Sequence, residues 1–107
     1  MSKKKKSITR VNFPNSEILS YEEHLFNGKL HREDGPAFIR YHSNGQISTE
    51  EYCKNGRRHR EDGPARVFYE IWGTHNKSLD DYYFNGQYIE VKSLEEFKKY
   101  VKLMPFK

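Results

Sequence analysis

Apolar and aromatic residues along the chain come in short runs cut by turn residues. Ala37–Tyr41, Gln46–Lys54, Ala65–Ile71 and Leu79–Phe84 are rich in Ile, Val, Tyr, Phe and Thr, which pack well on a pleated, half-buried surface. Asn-Gly occurs at 27–28, 44–45, 55–56 and 85–86. It is the preferred two-residue type I′ hairpin loop, because both central residues need positive φ. Asp-Gly-Pro at 34–36 and 62–64 gives a second sharp turn, with proline at the start of a strand where no ladder N–H is lost. The pattern predicts a mainly β fold, a single antiparallel meander of short hairpins.

The period changes near the end. Ser93-Leu94-Glu95-Glu96 reads as a capping box, and Leu94, Phe97, Val101 and Met104 form one apolar stripe. Pro105 stops the helix. A lone helix this short is marginal in water, so it is expected to lie over the last hairpin or to dock on a partner.

The hairpins repeat. Asn27-Gly28-Lys29-Leu30-His31-Arg32-Glu33-Asp34-Gly35-Pro36-Ala37 returns 28 residues later as Asn55-Gly56-Arg57-Arg58-His59-Arg60-Glu61-Asp62-Gly63-Pro64-Ala65, with nine of eleven positions identical. The correspondence extends to Glu22-Glu23 with Glu50-Glu51, Ile39 with Val67 and Tyr41 with Tyr69. A partial copy follows at Leu79–Gly86 after a two-residue insertion, and Phe13–Glu23 echoes Tyr41–Glu51. Degenerate ends are expected of capping units. The expected organisation is a disordered basic tail over 1–9, a repeat domain over 10–91 and a capping helix over 92–107. Within the domain the repeats cover about 21–48 and 49–78, with partial copies at 10–20 and 79–91.

This Asn-Gly-x-x-His-x-Glu-Asp-Gly-Pro-Ala repeat resembles the MORN-variant repeats of many bacterial, bacteriophage and large DNA virus proteins. The resemblance covers roughly residues 10–90. It implies a stack of β-hairpins without cofactor, and a role in interaction or scaffolding rather than catalysis. By analogy of setting, small phage proteins of this kind bind and block a host protein, including defence components. MORN proteins have also been linked to membrane lipids.

Composition agrees with a thin aromatic core. The 107 residues are 35% hydrophobic and 32% charged, yet 15% aromatic, which argues against disorder. No apolar run approaches a membrane span, and the lysines near the start are not followed by a signal-peptide core. Cys53 is the sole cysteine, so no internal disulfide forms and a reducing, cytoplasmic setting is expected, the host cytoplasm if phage-encoded. The net charge of +4 resides in Lys3, Lys4, Lys5 and Lys6, since the remaining 15 basic residues match the 15 acidic ones. Such a tail speeds association with any anionic partner, nucleic acid or membrane, and specifies none.

Imidazole beside carboxylates at His31, Glu33 and Asp34, and again at His59, Glu61 and Asp62, has the residue types for metal binding or proton transfer. Duplication at the repeat period favours scaffold instead, with Asp34 and Asp62 capping turns. Counting outward from the Asn-Gly loops sets Glu23 opposite Arg32, Glu51 opposite Arg60, His24 opposite His31 and Tyr52 opposite His59. Those glutamate–arginine pairs are expected as cross-strand ion pairs. Cys53 pairs with Arg58 and faces away from His59, which argues against a nucleophile–base couple.

Arg57, Arg58, His59 and Arg60, with Arg40 and Arg66, suit phosphate, but Glu50, Glu51, Glu61 and Asp62 interleave with them. The repeat departs from its pattern at Trp72-Gly73-Thr74-His75-Asn76. Structurally, Trp72 is expected against the C-terminal helix. As a binding patch, Trp72, Thr74 and His75 stand out, with Arg57 and Arg58 beside them, because loops carry function and Trp anchors interfaces. The functional expectation is a non-enzymatic protein-interaction module, a phage or viral inhibitor acting by steric occlusion. The alternatives are a nucleic-acid-binding accessory protein and a peripheral membrane scaffold. Exposed end strands also offer edge-to-edge pairing into a homodimer.

Overall fold

The structure, a computed structural model, describes residues 5–104. Strands β1 (Lys6–Asn12), β2 (Leu19–Phe26), β4 (Phe38–Tyr41), β5 (Ile47–Glu51) and β8 (Arg66–Phe68) form an antiparallel sheet in that spatial order. The short β3 (Lys29–Leu30) folds back on the end of β2, while β6 (Cys53–Lys54) with β7 (Arg57–Arg58) and β9 (Tyr82–Phe84) with β10 (Gln87–Ile89) make separate hairpins. The expected single meander is thus one principal sheet plus two small hairpins. The run Gln46–Lys54 breaks at Tyr52, and Leu79–Phe84 begins as a 3-10 turn over Lys77–Leu79.

The loops at 27–28, 55–56 and 85–86 lie at one end of the strands, and the 44–45 and 72–73 turns at the other. At 27–28, 55–56 and 85–86 both loop residues have positive φ, and the flanking pairs Phe26–Lys29, Lys54–Arg57 and Phe84–Gln87 close two-residue loops as expected. Asn44-Gly45 differs. Only Gly45 has positive φ, the His42 N–H donates to Gln46 O, and the β4–β5 register shifts after Arg40. That is a three-residue loop with a bulge, another common hairpin connection.

The expected disordered tail over 1–9 is overturned for its described residues. Lys6–Asn12 is a seven-residue strand paired along β2. Lys5 is held too: its N–H donates to Asn27 Oδ1 at 3.0 Å, and its carbonyl accepts from the Asn27 N–H at 2.9 Å. Alternating residues with few breakers suit a strand, and lysine side chains do not prevent one. Lys3 and Lys4 lie outside the described residues, as does the Pro105 stop.

The molecule is a slab of 48 × 46 × 18 Å, so few side chains are fully enclosed. The repeats bury equivalent positions, Ala37 with Ala65 and Ile39 with Val67. The third copy changes chemistry. Phe84, Ile89 and Val91 stand where the preceding unit has Lys54, His59 and Glu61. Helix α1 (Leu94–Lys102) covers this apolar end, burying Phe97 and Val101 against Phe84 and Ile89. Ser93 Oγ accepts from the Glu96 N–H at 3.1 Å, half of the expected capping box. Leu94, at the outer end of the stripe, stays partly exposed.

Candidate functional site

The histidines of the repeated motif join one unit to the next. His31 Nδ1 accepts the Asn55 N–H at 3.0 Å, and His59 Nδ1 accepts the Asn85 N–H at 2.8 Å. An accepting Nδ1 leaves the ring proton on Nε2, which faces Glu33 at 2.7 Å in the first unit and Glu61 at 3.3 Å in the second. Backbone bonds recur at the same period. Gly56 N–H donates to Leu30 O and Gly86 N–H to Arg58 O, while Arg32 N–H reaches Cys53 O and Arg60 N–H reaches Tyr83 O. The motif's histidine and glycine are therefore interunit connectors.

The arginines and aspartates close the Asp-Gly-Pro loops from within. Arg32 Nε donates to Asp34 and its Nη1 to Pro36 O, and Arg60 repeats both contacts with Asp62 and Pro64 O. The expected Glu23–Arg32 and Glu51–Arg60 ion pairs do not form. β3 ends at Leu30 and β7 at Arg58, before Arg32 and Arg60, so those two side chains turn into the loop; Glu51 is taken by Arg58 at 2.8 Å instead, and Arg60 stacks 3.9 Å over Tyr52. The Asp carboxylates thus hold the loops through arginine. Arg32 holds the Asp34 carboxyl below the ordinary range, and Lys54, then His31, do the same for Glu33.

Among the described residues, no three His, Cys, Asp or Glu side chains are grouped to hold a metal ion. Cys53 is paired with Arg58 in register and buried, and burial pushes its thiol up to about 11. The basic cluster is largely occupied internally. Arg58 bonds Glu51 and stacks on Tyr83, Arg60 bonds Asp62, and Arg66 lies 3.4 Å from Asp81. Arg57 remains exposed, lying against Gly86 of the next hairpin.

The segment around Trp72 keeps the turn rather than breaking it. Gly73 has φ +92 where Gly45 has φ +90. Glu70 N–H donates to Thr74 O and Gly73 N–H to Glu70 O, repeating the bonds of His42–Gln46. Asn44 Nδ2 of the neighbouring turn donates to Ile71 O at 2.7 Å, and a Cβ at Gly73 would run into the Gln46 amide. The backbone is fixed from both sides. The insertion lies further on, where the 3-10 turn returns Asp80 to His75.

Trp72 does not pack on α1. It is 79% exposed at the tip of this turn, and Ile71 and Leu79 are exposed as well. Thr74 is exposed. His75 is fastened: its Nε2 lies 2.9 and 3.0 Å from the two Asp80 oxygens, and its ring stacks on Tyr69 at 5.5 Å. Trp72, Thr74 and His75 thus share one turn, whereas Arg57 and Arg58 belong to the hairpin at the opposite end of the strands.

A cleft of about 700 Å³ lies beside this turn, bordered by Glu50, Tyr69, His75, Asp80, Lys92 and Ser93. The Tyr69 hydroxyl donates to Glu50 at 2.7 Å. Burial, then that bond, pushes its pKa up, which makes it a poor nucleophile. Neither the Tyr69–Glu50 bond nor the His75–Asp80 pair was evident from spacing, since the insertion creates the second and the strand register the first. Compared with known proteins, the chain matches no family model, no curated protein and no solved structure.

Proposed function

We propose that this protein is a non-enzymatic binding module that engages a protein partner through the Ile71-Trp72-Gly73-Thr74-His75 turn. The carrying observation is a tryptophan 79% exposed on a backbone fixed by its own turn bonds and by Asn44. An exposed aromatic on a rigid support loses little conformational freedom on binding, and Trp is enriched among interface hot spots. Ile71, next in the chain, is exposed beside it, and Thr74 and His75 add polar contacts. A rigid slab seated by one turn acts by occluding what it covers. The phage or viral setting rests on the resemblance of the repeat alone.

The nucleic-acid alternative finds less support, because Arg10, Arg32, Arg58, Arg60 and Arg66 are each paired with a carboxylate. The test is capture of partners from nuclease-treated bacterial lysate by wild type, Trp72→Ala, and a variant with Lys3 and Lys4 changed to Gln. Stoichiometric capture lost in Trp72→Ala and retained without the lysines is expected. Capture that depends on the lysines or on nucleic acid, and ignores Trp72, overturns the proposal.

A further inference from the structure

The two ends of the repeat stack are finished differently. At the C-terminal end, β8 is bridged by Asp81 at Arg66, Tyr69 just past it is bridged by His75, and α1 covers the last hairpin. At the N-terminal end, β1 pairs with β2 on one side, and its other side has no strand among the described residues. The hydrogen-bond phase says which groups are free. Asn27 N–H bonds Lys5 O, and His24 N–H bonds Ala37 O, away from β1. Antiparallel residues alternate in bonding direction, so Ser7 and Thr9, opposite Leu25 and Glu23, bond inward. The N–H and C=O of Lys6, Ile8 and Arg10 therefore point outward. Ile8, 51% exposed, stands in their midst, beside an apolar groove of about 820 Å³ shared with Phe26 and His31.

We propose that β1 pairs antiparallel with β1 of a second copy, about a two-fold axis at Thr9. A capped C-terminal end forbids head-to-tail stacking, so the one symmetric solution open to this edge is a closed dimer. The charges choose the register. Outward groups pair only if even-numbered residues oppose even-numbered ones. An axis at Ile8 would set Lys6 against Arg10 of the second copy, and an axis at Arg10 would set the two Arg10 side chains against each other. Like charges directly opposite destabilise a sheet. With the axis at Thr9, Ile8 faces Arg10, Lys6 faces Asn12, and Thr9 faces Thr9, a favourable cross-strand pair. Edge lysines and arginines ordinarily deter pairing. Here Arg10 is already neutralised by Glu22 at 2.8 Å, and Ile8 gains cover from the aliphatic stem of its new neighbour.

Sedimentation of the full chain over a wide concentration range, with Thr9→Cys and Ser7→Cys compared under air oxidation, tests this. In a non-hydrogen-bonded antiparallel pair the Cα atoms lie about 4.5 Å apart, within disulfide reach. A concentration-dependent dimer is expected, with Thr9→Cys becoming disulfide-linked quickly and Ser7→Cys, which faces Val11, slowly. Ile8→Pro removes only an outward N–H, so it is expected to give a folded monomer with unchanged circular dichroism. A monomer at every concentration overturns the proposal and leaves the edge to a strand of another protein. A dimer in which the two cysteine variants cross-link alike, or in which folded Ile8→Pro still dimerises, overturns it as well.

Discussion

At the scale of single residues, the repeated motif divides its work by atom. In His59 the Nδ1 holds the next unit and the Nε2 meets Glu61, and the ring is almost fully buried. The two roles are separable. Asn at position 59 retains an acceptor close to the backbone, whereas Gln reaches toward the Nε2 position. His59→Asn is therefore expected to cost less than His59→Gln, which leaves the Asn85 N–H without its partner at about 1–3 kcal/mol. Urea unfolding reads the difference, and equal losses would mean that ring packing on Phe84 carries the site. Cys53 is expected to resist thiol reagents at pH 8 in the native state and to react only on unfolding, because its thiol is both buried and pushed up to about 11. Labelling followed by mass spectrometry checks this. The motif itself was legible from its duplication. Its atomic roles were not, because the partner of each histidine lies in the following unit and is a backbone N–H that every sequence possesses.

At the scale of elements, legibility followed how local the determining interaction is. The loops at 27–28, 55–56 and 85–86 formed as read, since Asn and Gly fix their own φ. Asn44-Gly45 has the same letters but sits in a bulged connection, where the flanking register and not the dipeptide sets loop length. The Trp72 turn shows the converse. Its residues differ from those of the first unit, yet Gly73 and the neighbouring Asn44 preserve the geometry. The helix was legible in its stripe, and Phe97 and Val101 are its buried members. What seats it was less legible: the third copy replaces polar motif positions by Phe84, Ile89 and Val91. Phe97 is fully buried, so Phe97→Ala is expected to cost about 3–5 kcal/mol, a large part of the stability of a domain this size. Thermal unfolding checks it, and a loss of ~1 kcal/mol or less would mean that the helix is only loosely attached. Trp72→Ala, by contrast, removes an exposed side chain and is expected to change stability by no more than about 0.5 kcal/mol.

At the scale of the whole molecule, the acid response is the sum of ion pairs that range from largely enclosed to mostly exposed. Glu22 is the most enclosed of the perturbed carboxylates, bonded to Arg10 and to His24 at 2.8 and 2.6 Å. Its pKa is lowered, chiefly by the Arg10 bond and against a desolvation that raises it. A carboxyl whose folded pKa lies below its unfolded value contributes stability that is complete above the unfolded value and is lost as pH falls through the folded one. Stability is thus expected to be flat just above the ordinary carboxylate range and to decline on acidification below it, with Glu33 and Asp34, lowered by Lys54 and Arg32, contributing in the same direction. Arg10 is mostly exposed, so solvent screening limits the Glu22 share to roughly 0.2–1 kcal/mol. Glu22→Gln is expected to lower stability at neutral pH by that amount and to make the acid decline shallower. Salt is expected to erode the neutral-pH difference between the two proteins. Denaturant midpoints taken across the acid range for both proteins measure this, and parallel acid declines would assign the response to carboxylates other than Glu22. Because Arg10 also lies on the edge where β1 is proposed to meet its copy, the same substitution frees its charge there. Glu22→Gln is therefore expected to weaken dimerisation at low salt and to recover it as ionic strength rises.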